Sequence, residues 1–167
     1  MPRKTIASTN FISLFETENG SAFVGMNDAA LIVPINSDGL ALVHTEPSFA
    51  YDGLRSLHIP GGRLEQGEDP ALCANREMQE EIGYKAHRVD YLGAVDLMTK
   101  YVEARIHLYM GRELEKNRLQ GDEADDWVQP HRPIALSEIE SLMASGLLRD
   151  STTTLALLLA RQFLSRE

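Results

Sequence analysis

One cysteine, Cys73, stands alone in the chain, so no intrachain disulfide can form and a reducing cytosol is the expected setting. No apolar run approaches the roughly 20 residues of a membrane span; the longest, Leu155 to Ala160, is far shorter. Met1 to Ala7 holds two basic side chains and no apolar stretch, which does not read as a secretory signal. Positive charge is also scarce. Sixteen Lys and Arg face 25 Asp and Glu, a net charge of −9, and no basic stripe offers itself to a nucleic-acid backbone or an anionic membrane. Repeats, low-complexity tracts and linkers are absent. What remains is an ordinary globular composition, 43% hydrophobic and 25% charged over 167 residues, long enough for one domain with its own core.

The apolar pattern predicts a mixed α/β chain. Phe11–Phe15 and Ser21–Gly25 read as strands joined at Asn19-Gly20, an N-terminal hairpin within residues 1–27. Ala29–Ile35 is a continuous apolar run suited to a buried central strand, and Leu40–His44 is expected to pair back from the Ser37-Asp38-Gly39 turn. Thr45–Ser56 reads as a loop, followed by a short strand at Leu57–Ile59. Asp69 is an N-cap with Pro70 at the first helical position, and Gly83 stops the helix after Ile82. Val89–Leu97 and Ile106–Met110 read as strands, and Gly111–Asp126 as a polar acidic loop. A capping box at Ser137-Glu138-Ile139-Glu140 opens a second helix, and Asp150 or Ser151 caps a third that runs to Phe163. Strands mixed with helices in so short a chain imply a mixed sheet with helices on both faces.

The chemistry concentrates between Gly62 and Tyr84. Glu77, Glu80 and Glu81 are spaced i, i+3 and i+4, which puts three carboxylates on one helix face. Each such like-charge pair destabilises an isolated helix by roughly 0.2–0.5 kcal/mol. A solvated acidic face explains such a stripe in many helices; bound cations would instead turn the repulsion into attraction. Hard oxygen donors suit Mg²⁺, or Mn²⁺, ions that keep waters and bridge to phosphates. Arg76, beside Glu77 and one turn before Glu80, is placed to hold a carboxylate, and Gly61-Gly62 offers an approachable backbone just ahead.

This segment resembles the signature of the Nudix hydrolase family. Gly62, Glu68, Arg76, Glu77, Glu80, Glu81 and Gly83 fill all seven fixed positions at the required spacing, and a chance match is on the order of one in a million. Met78 and Tyr84 stand where aliphatic residues are usual. The resemblance implies an α/β/α sandwich with a mixed β-sheet over residues 1–167, the signature forming a loop–helix–loop. It implies that Glu77, Glu80 and Glu81 bind metal with the Gly61 carbonyl, that Glu68 and Arg76 support them, and that water attacks a phosphorus of a diphosphate. Magnesium, or manganese, is the implied cofactor.

Ala29–Ile35, Leu119–Glu123 and the Thr152–Leu164 helix are similar to the ADP-ribose and ADP-sugar pyrophosphatase branch, above all its ADP-compounds hydrolases. That similarity implies a small-molecule nucleotide diphosphate derivative as substrate: ADP-ribose, NADH or a diadenosine polyphosphate. It implies a homodimer formed through the N-terminal hairpin, and Glu123 as catalytic base or extra metal ligand. Two positions depart from the branch. Met98-Thr99-Lys100-Tyr101 lacks a proline common there, and His58 replaces a frequent glutamate; both weigh against ADP-ribose itself.

Arg63 and Arg55, with Arg105 and Arg112 behind them, are candidate phosphate clamps. Tyr101 is a candidate stacking surface for a base, against packing at a strand edge. The five histidines show no metal-ligand spacing such as H-E-x-x-H, Cys73 reads as core packing, and Trp127 packs or lines a nucleotide pocket. An NTP or RNA 5′-end pyrophosphohydrolase, and a non-catalytic nucleotide sensor, are the alternatives; intact signature carboxylates oppose the second.

Overall fold

In the computed structural model, which describes residues 2–48, 50–119 and 130–167, period-2 alternation sorts each central strand between two cores. Strand β4 (Ala29–Pro34) sends Ala30 and Ile32 to one side and Val33 to the other. Strand β10 (Arg105–Lys116) does the same with Tyr109 against Ile106, Leu108 and Met110. One core is closed by helix α1 (Pro70–Glu81) through Cys73, Ala74 and Met78. The other is closed by α2 (Ile139–Ala144) and α3 (Ser151–Leu164), through Ile139, Leu142, Ala156, Leu157 and Ala160. The result is the expected layered α/β/α arrangement.

The central sheet runs β7–β4–β10–β8, with β7 at Gly61–Arg63 and β8 at Tyr84–Asp96. Strand β10 is parallel to β4 and antiparallel to β8, so the sheet is mixed. A smaller sheet, β11–β5–β6, joins Arg132–Ile134, Ala41–Pro47 and Arg55–His58. The N-terminal sheet contains β1 (Arg3–Ser8), β2 (Ile12–Thr17), β3 (Ala22–Met26) and β9 (Val102–Glu103).

Several sequence expectations need correction. Strand β1 precedes the N-terminal hairpin and is fully exposed; its ladder to β2, not an apolar face, defines it. Leu40–His44 does not form a ladder with β4; the pairing back is limited to an isolated bridge between Ile35, just past the end of β4, and Ala41. Instead β5 continues through Pro47 and pairs with β6, so Thr45–Pro47 and Arg55–Ser56 are strand rather than loop. The expected polar loop after Met110 begins as strand. Arg112, Glu115 and Lys116 stay in register with β8, and cross-strand charge pairs such as Arg112–Asp90 (2.7 Å) and His87–Glu115 (2.7 Å) support that end. Ser137 does not cap the second helix. It lies inside a 3₁₀ turn, Leu136–Glu138, where Glu138 accepts from the Ala135 amide at 2.8 Å; alanine has no side-chain oxygen to complete a capping box, and its carbonyl accepts from the Glu138 amide at 2.9 Å. Among the described residues, no helix is long and apolar enough to cross a membrane.

Candidate active site

Helix α1 begins where the sequence places it. The Asp69 carboxylate accepts from the amides of Ala71 (2.8 Å) and Leu72 (3.4 Å), and Pro70 follows. Its end is also as read: Ile82 is the C-cap and Gly83 takes φ +75°, the left-handed region a side chain disfavours. Between these caps Cys73, Ala74 and Met78 face the sheet, and Glu77, Glu80 and Glu81 lie along the flank of that buried stripe. Their side chains are only 11–17% exposed.

Arg76 binds the cluster together. Its Nε and Nη2 fork onto Glu68 at 3.0 and 3.1 Å, while Nη1 reaches Glu77 at 2.7 Å and Glu80 at 3.3 Å. The hydrogen bond from Arg76 holds the Glu68 carboxyl below its usual range, and the same bond raises the guanidinium further. Glu68 also accepts from the Glu65 amide at 2.9 Å, which fixes the loop before the helix.

Strand β7 lies across the cluster. The Gly61 amide donates to Glu81 at 3.2 Å. A Cβ on Gly62 would come within 2.4 Å of the Glu77 carboxylate, so that carboxylate occupies the space glycine leaves. Beneath, the buried Cys73 thiol donates to the Arg63 carbonyl at 3.4 Å. Burial, then the negative charges of Glu68 and Glu77, push that thiol up to about 12.

The hairpin β5–β6 adds residues the sequence reading did not single out. His44, Glu46 and Glu81 each bring one ligating atom within 4.8 Å of the others, and His44 is fully buried. His44 Nε2 meets the Glu46 carboxylate and lies 3.8 Å from Glu81 Oε2; His58 Nδ1 lies 4.0 Å from Glu46. The signal available was the His-x-Glu alternation on a strand, which the H-E-x-x-H helix spacing does not detect. A cavity of about 480 Å³ adjoins His58, lined by Ser48, Tyr51, Leu54, Ser56 and Arg149 among others.

The remaining candidates lie apart from these contacts. The Arg63 guanidinium covers the Phe11 ring at 4.9 Å and donates to the Asn10 carbonyl at 3.4 Å. Arg55 donates to the Thr45 carbonyl at 2.9 Å. Arg105 pairs with Asp96 at 2.9 Å, and Arg112 with Asp90 and Glu167. Tyr101 sits half-exposed at the edge of the N-terminal sheet, where its carbonyl accepts from the Val24 amide at 2.8 Å. Glu123 and Trp127 fall outside the described residues.

A helix-borne carboxylate cluster clamped by one arginine and roofed by two glycines, between the layers of an α/β/α fold, defines a class. The family model described as NUDIX domain matches residues 25–162, and the chain belongs to the Nudix hydrolase family. It is similar to the ADP compounds hydrolase NudE of Escherichia coli K12, at 27% identity over 82% of this chain and 72% of that protein. It is 32% identical to the methanol dehydrogenase activator of Bacillus methanolicus, over 60% of this chain but only 54% of that protein. The ADP-ribose pyrophosphatase of Bacillus subtilis is 33% identical over 51% of this chain and 48% of its own length. The match thus spans about half the length of two of these three relatives. Among solved structures, an ADP compounds hydrolase superposes with a TM-score of 0.83 at 23% identity, covering 99% of this chain and 93% of that one; at that identity the likeness speaks for the fold.

Proposed function

We propose that the chain hydrolyses the diphosphate linkage of a nucleoside diphosphate joined to a second moiety, with ADP-ribose, NADH or a diadenosine polyphosphate as the favoured substrates. The observation that carries this reading is the convergence of Glu77, Glu80 and Glu81 under the Gly61–Gly62 strand, with Arg76 spanning Glu68, Glu77 and Glu80. Such a donor set of hard carboxylate oxygens fits Mg²⁺ or Mn²⁺, and the room that Gly62 leaves for Glu77 lets it approach the strand closely. When bound, the divalent ions neutralise charge building on the phosphates and lower the pKa of an attacking water.

The chain's own residues do the rest. Glu77, Glu80 and Glu81, with the Gly61 carbonyl, would hold the ions. Arg76 keeps Glu77 and Glu80 in fixed rotamers, and Glu68 anchors Arg76 from the loop. The 480 Å³ cavity beside His58 is of a size that accepts a sugar or base, and the exposed Tyr51 ring supplies an apolar wall. The names of the relatives, two of them hydrolases of ADP compounds or ADP-ribose, support the substrate class. The net charge of −9 disfavours RNA 5′ ends. Glu123 remains the proposed base, and Arg63, Arg55 and Tyr101 the proposed outer substrate contacts.

We place the chain in the cytoplasm on its single free thiol. We also propose a homodimer through the N-terminal sheet, whose Ile6, Phe11, Ile12 and Leu14 are exposed. Sedimentation of the wild type against Leu14→Asp tests this; a monomeric wild type overturns it. The test of activity is a panel of ADP-ribose, NADH, diadenosine polyphosphates, sugar nucleotides and dNTPs with Mg²⁺ or Mn²⁺. Cleavage of an ADP compound is expected, and no cleavage of any member would overturn the proposal.

A further inference from the structure

The hairpin β5–β6 builds a second wall opposite the C-terminal turn of α1. Alternation places residues 44 and 46 on the face of β5 that Leu42 turns toward α1. His58 is the register partner of His44 across the hairpin, and its neighbours Leu57 and Ile59 point to the other core. Three polar side chains are thus gathered on one face, beside Glu81.

The contacts of His44 sort their roles. His44 Nε2 lies within hydrogen-bonding reach of the Glu46 carboxylate. His44 Nδ1 is buried and has no hydrogen-bond partner among the described residues. Nε2 is already engaged by Glu46, and a histidine that binds metal through one ring nitrogen is normally held by a partner on the other, which His44 lacks among the described residues. His44 therefore suits the task of holding Glu46, whose side chain is the more exposed of the two and brings a ligating atom within 4.8 Å of one on Glu81. From this geometry we infer that Glu46 is an additional carboxylate ligand of the divalent-cation site, brought from the sheet side and oriented by His44 as a positioning residue. The inference rests on the reading of Glu81 as a cation ligand. A divalent ion between Glu46 and Glu81 converts the repulsion of two close carboxylates into shared coordination.

The test is Mn²⁺ binding to the purified full chain, followed by calorimetry and by electron paramagnetic resonance, with thermal melts recorded alongside. Glu46→Gln is expected to weaken Mn²⁺ binding about 10–100-fold. His44→Leu is expected to weaken it comparably, and His44→Gln, which restores an N–H donor toward residue 46, to recover most of the affinity. Wild-type Mn²⁺ affinity in a folded Glu46→Gln variant overturns the inference, as does a wild type that binds no Mn²⁺. Should His44→Leu fail to fold, the Glu46→Gln result decides alone. A wild type that binds Mn²⁺ through Glu46 but cleaves no diphosphate overturns the proposed function and leaves this inference standing; cleavage with unchanged Mn²⁺ affinity in Glu46→Gln does the reverse.

Discussion

Gly62 and Glu77 share one small volume: the missing side chain of the first is the seat of the second's carboxylate, 2.4 Å from where a Cβ would stand. Gly62→Ala is therefore expected to displace that carboxylate while leaving the fold intact, because only the end of a flexible side chain has to move. Mn²⁺ affinity and kcat should fall about 10–100-fold, with a melting temperature near wild type. Gly61→Ala is the contrasting variant. Its Cβ would meet the Ala30 carbonyl at 2.7 Å and Leu31 Cα at 2.9 Å, backbone atoms that cannot swing aside. A loss of about 1–3 kcal/mol in a denaturant titration is expected there.

Arg76→Lys should behave as a severe change. One ammonium cannot reproduce a fork onto Glu68 together with bonds to Glu77 and Glu80. Stability is expected to drop by roughly 1–3 kcal/mol, since partly buried carboxylates lose donors. Turnover should drop at least tenfold, and chemical denaturation with steady-state kinetics on the same preparation checks both.

Glu81→Gln removes a proposed ligand without touching the buried stripe of α1, which is Cys73, Ala74 and Met78. The expected outcome is a kcat lower by orders of magnitude with an unaltered melt. Unchanged turnover would exclude Glu81 from the site.

Asp150 caps α3, accepting from the Thr153 amide at 2.6 Å. Burial pushes its carboxyl up, but hydrogen bonds from Thr152 and Thr153 outweigh burial and hold it below its ordinary value of 3.8. A depressed folded value means that the ionised cap stabilises the fold above that ordinary range, and that this part is lost as pH falls through the folded value. Asp150→Ala should cost about 1 kcal/mol at neutral pH. Asp150→Asn should cost less and should flatten the fall in stability below about pH 4, measured as melting temperature against pH.

Helix α1 was legible from end to end because each of its determinants is local: an Asp cap, a proline at the first turn, an i, i+3, i+4 stripe and a terminal glycine. Strand lengths were less so. The ends of β8 and β10 are polar, and cross-strand partners such as Asp90 for Arg112 are invisible along the chain. The same holds for Glu46. Read locally, Thr45–Ser56 has the proline, glycine and polarity of a loop; only the pairing of β5 with β6 gives residues 44, 46 and 58 a common face. Arg63 adjoins the glycines along the chain, and the cover its guanidinium gives Phe11, over fifty residues earlier, is a relationship that only the fold creates.

The fully buried thiol of Cys73 lies under the Gly62–Arg63 strand. Burial and the charges of Glu68 and Glu77 push it up to about 12, so at ordinary pH it is not ionised. A thiol reagent can therefore reach it only when strand and helix part. The rate of its modification is a native clock for the breathing of the site: slow in the closed protein, slower still with cation and nucleotide bound, and readable without any introduced label.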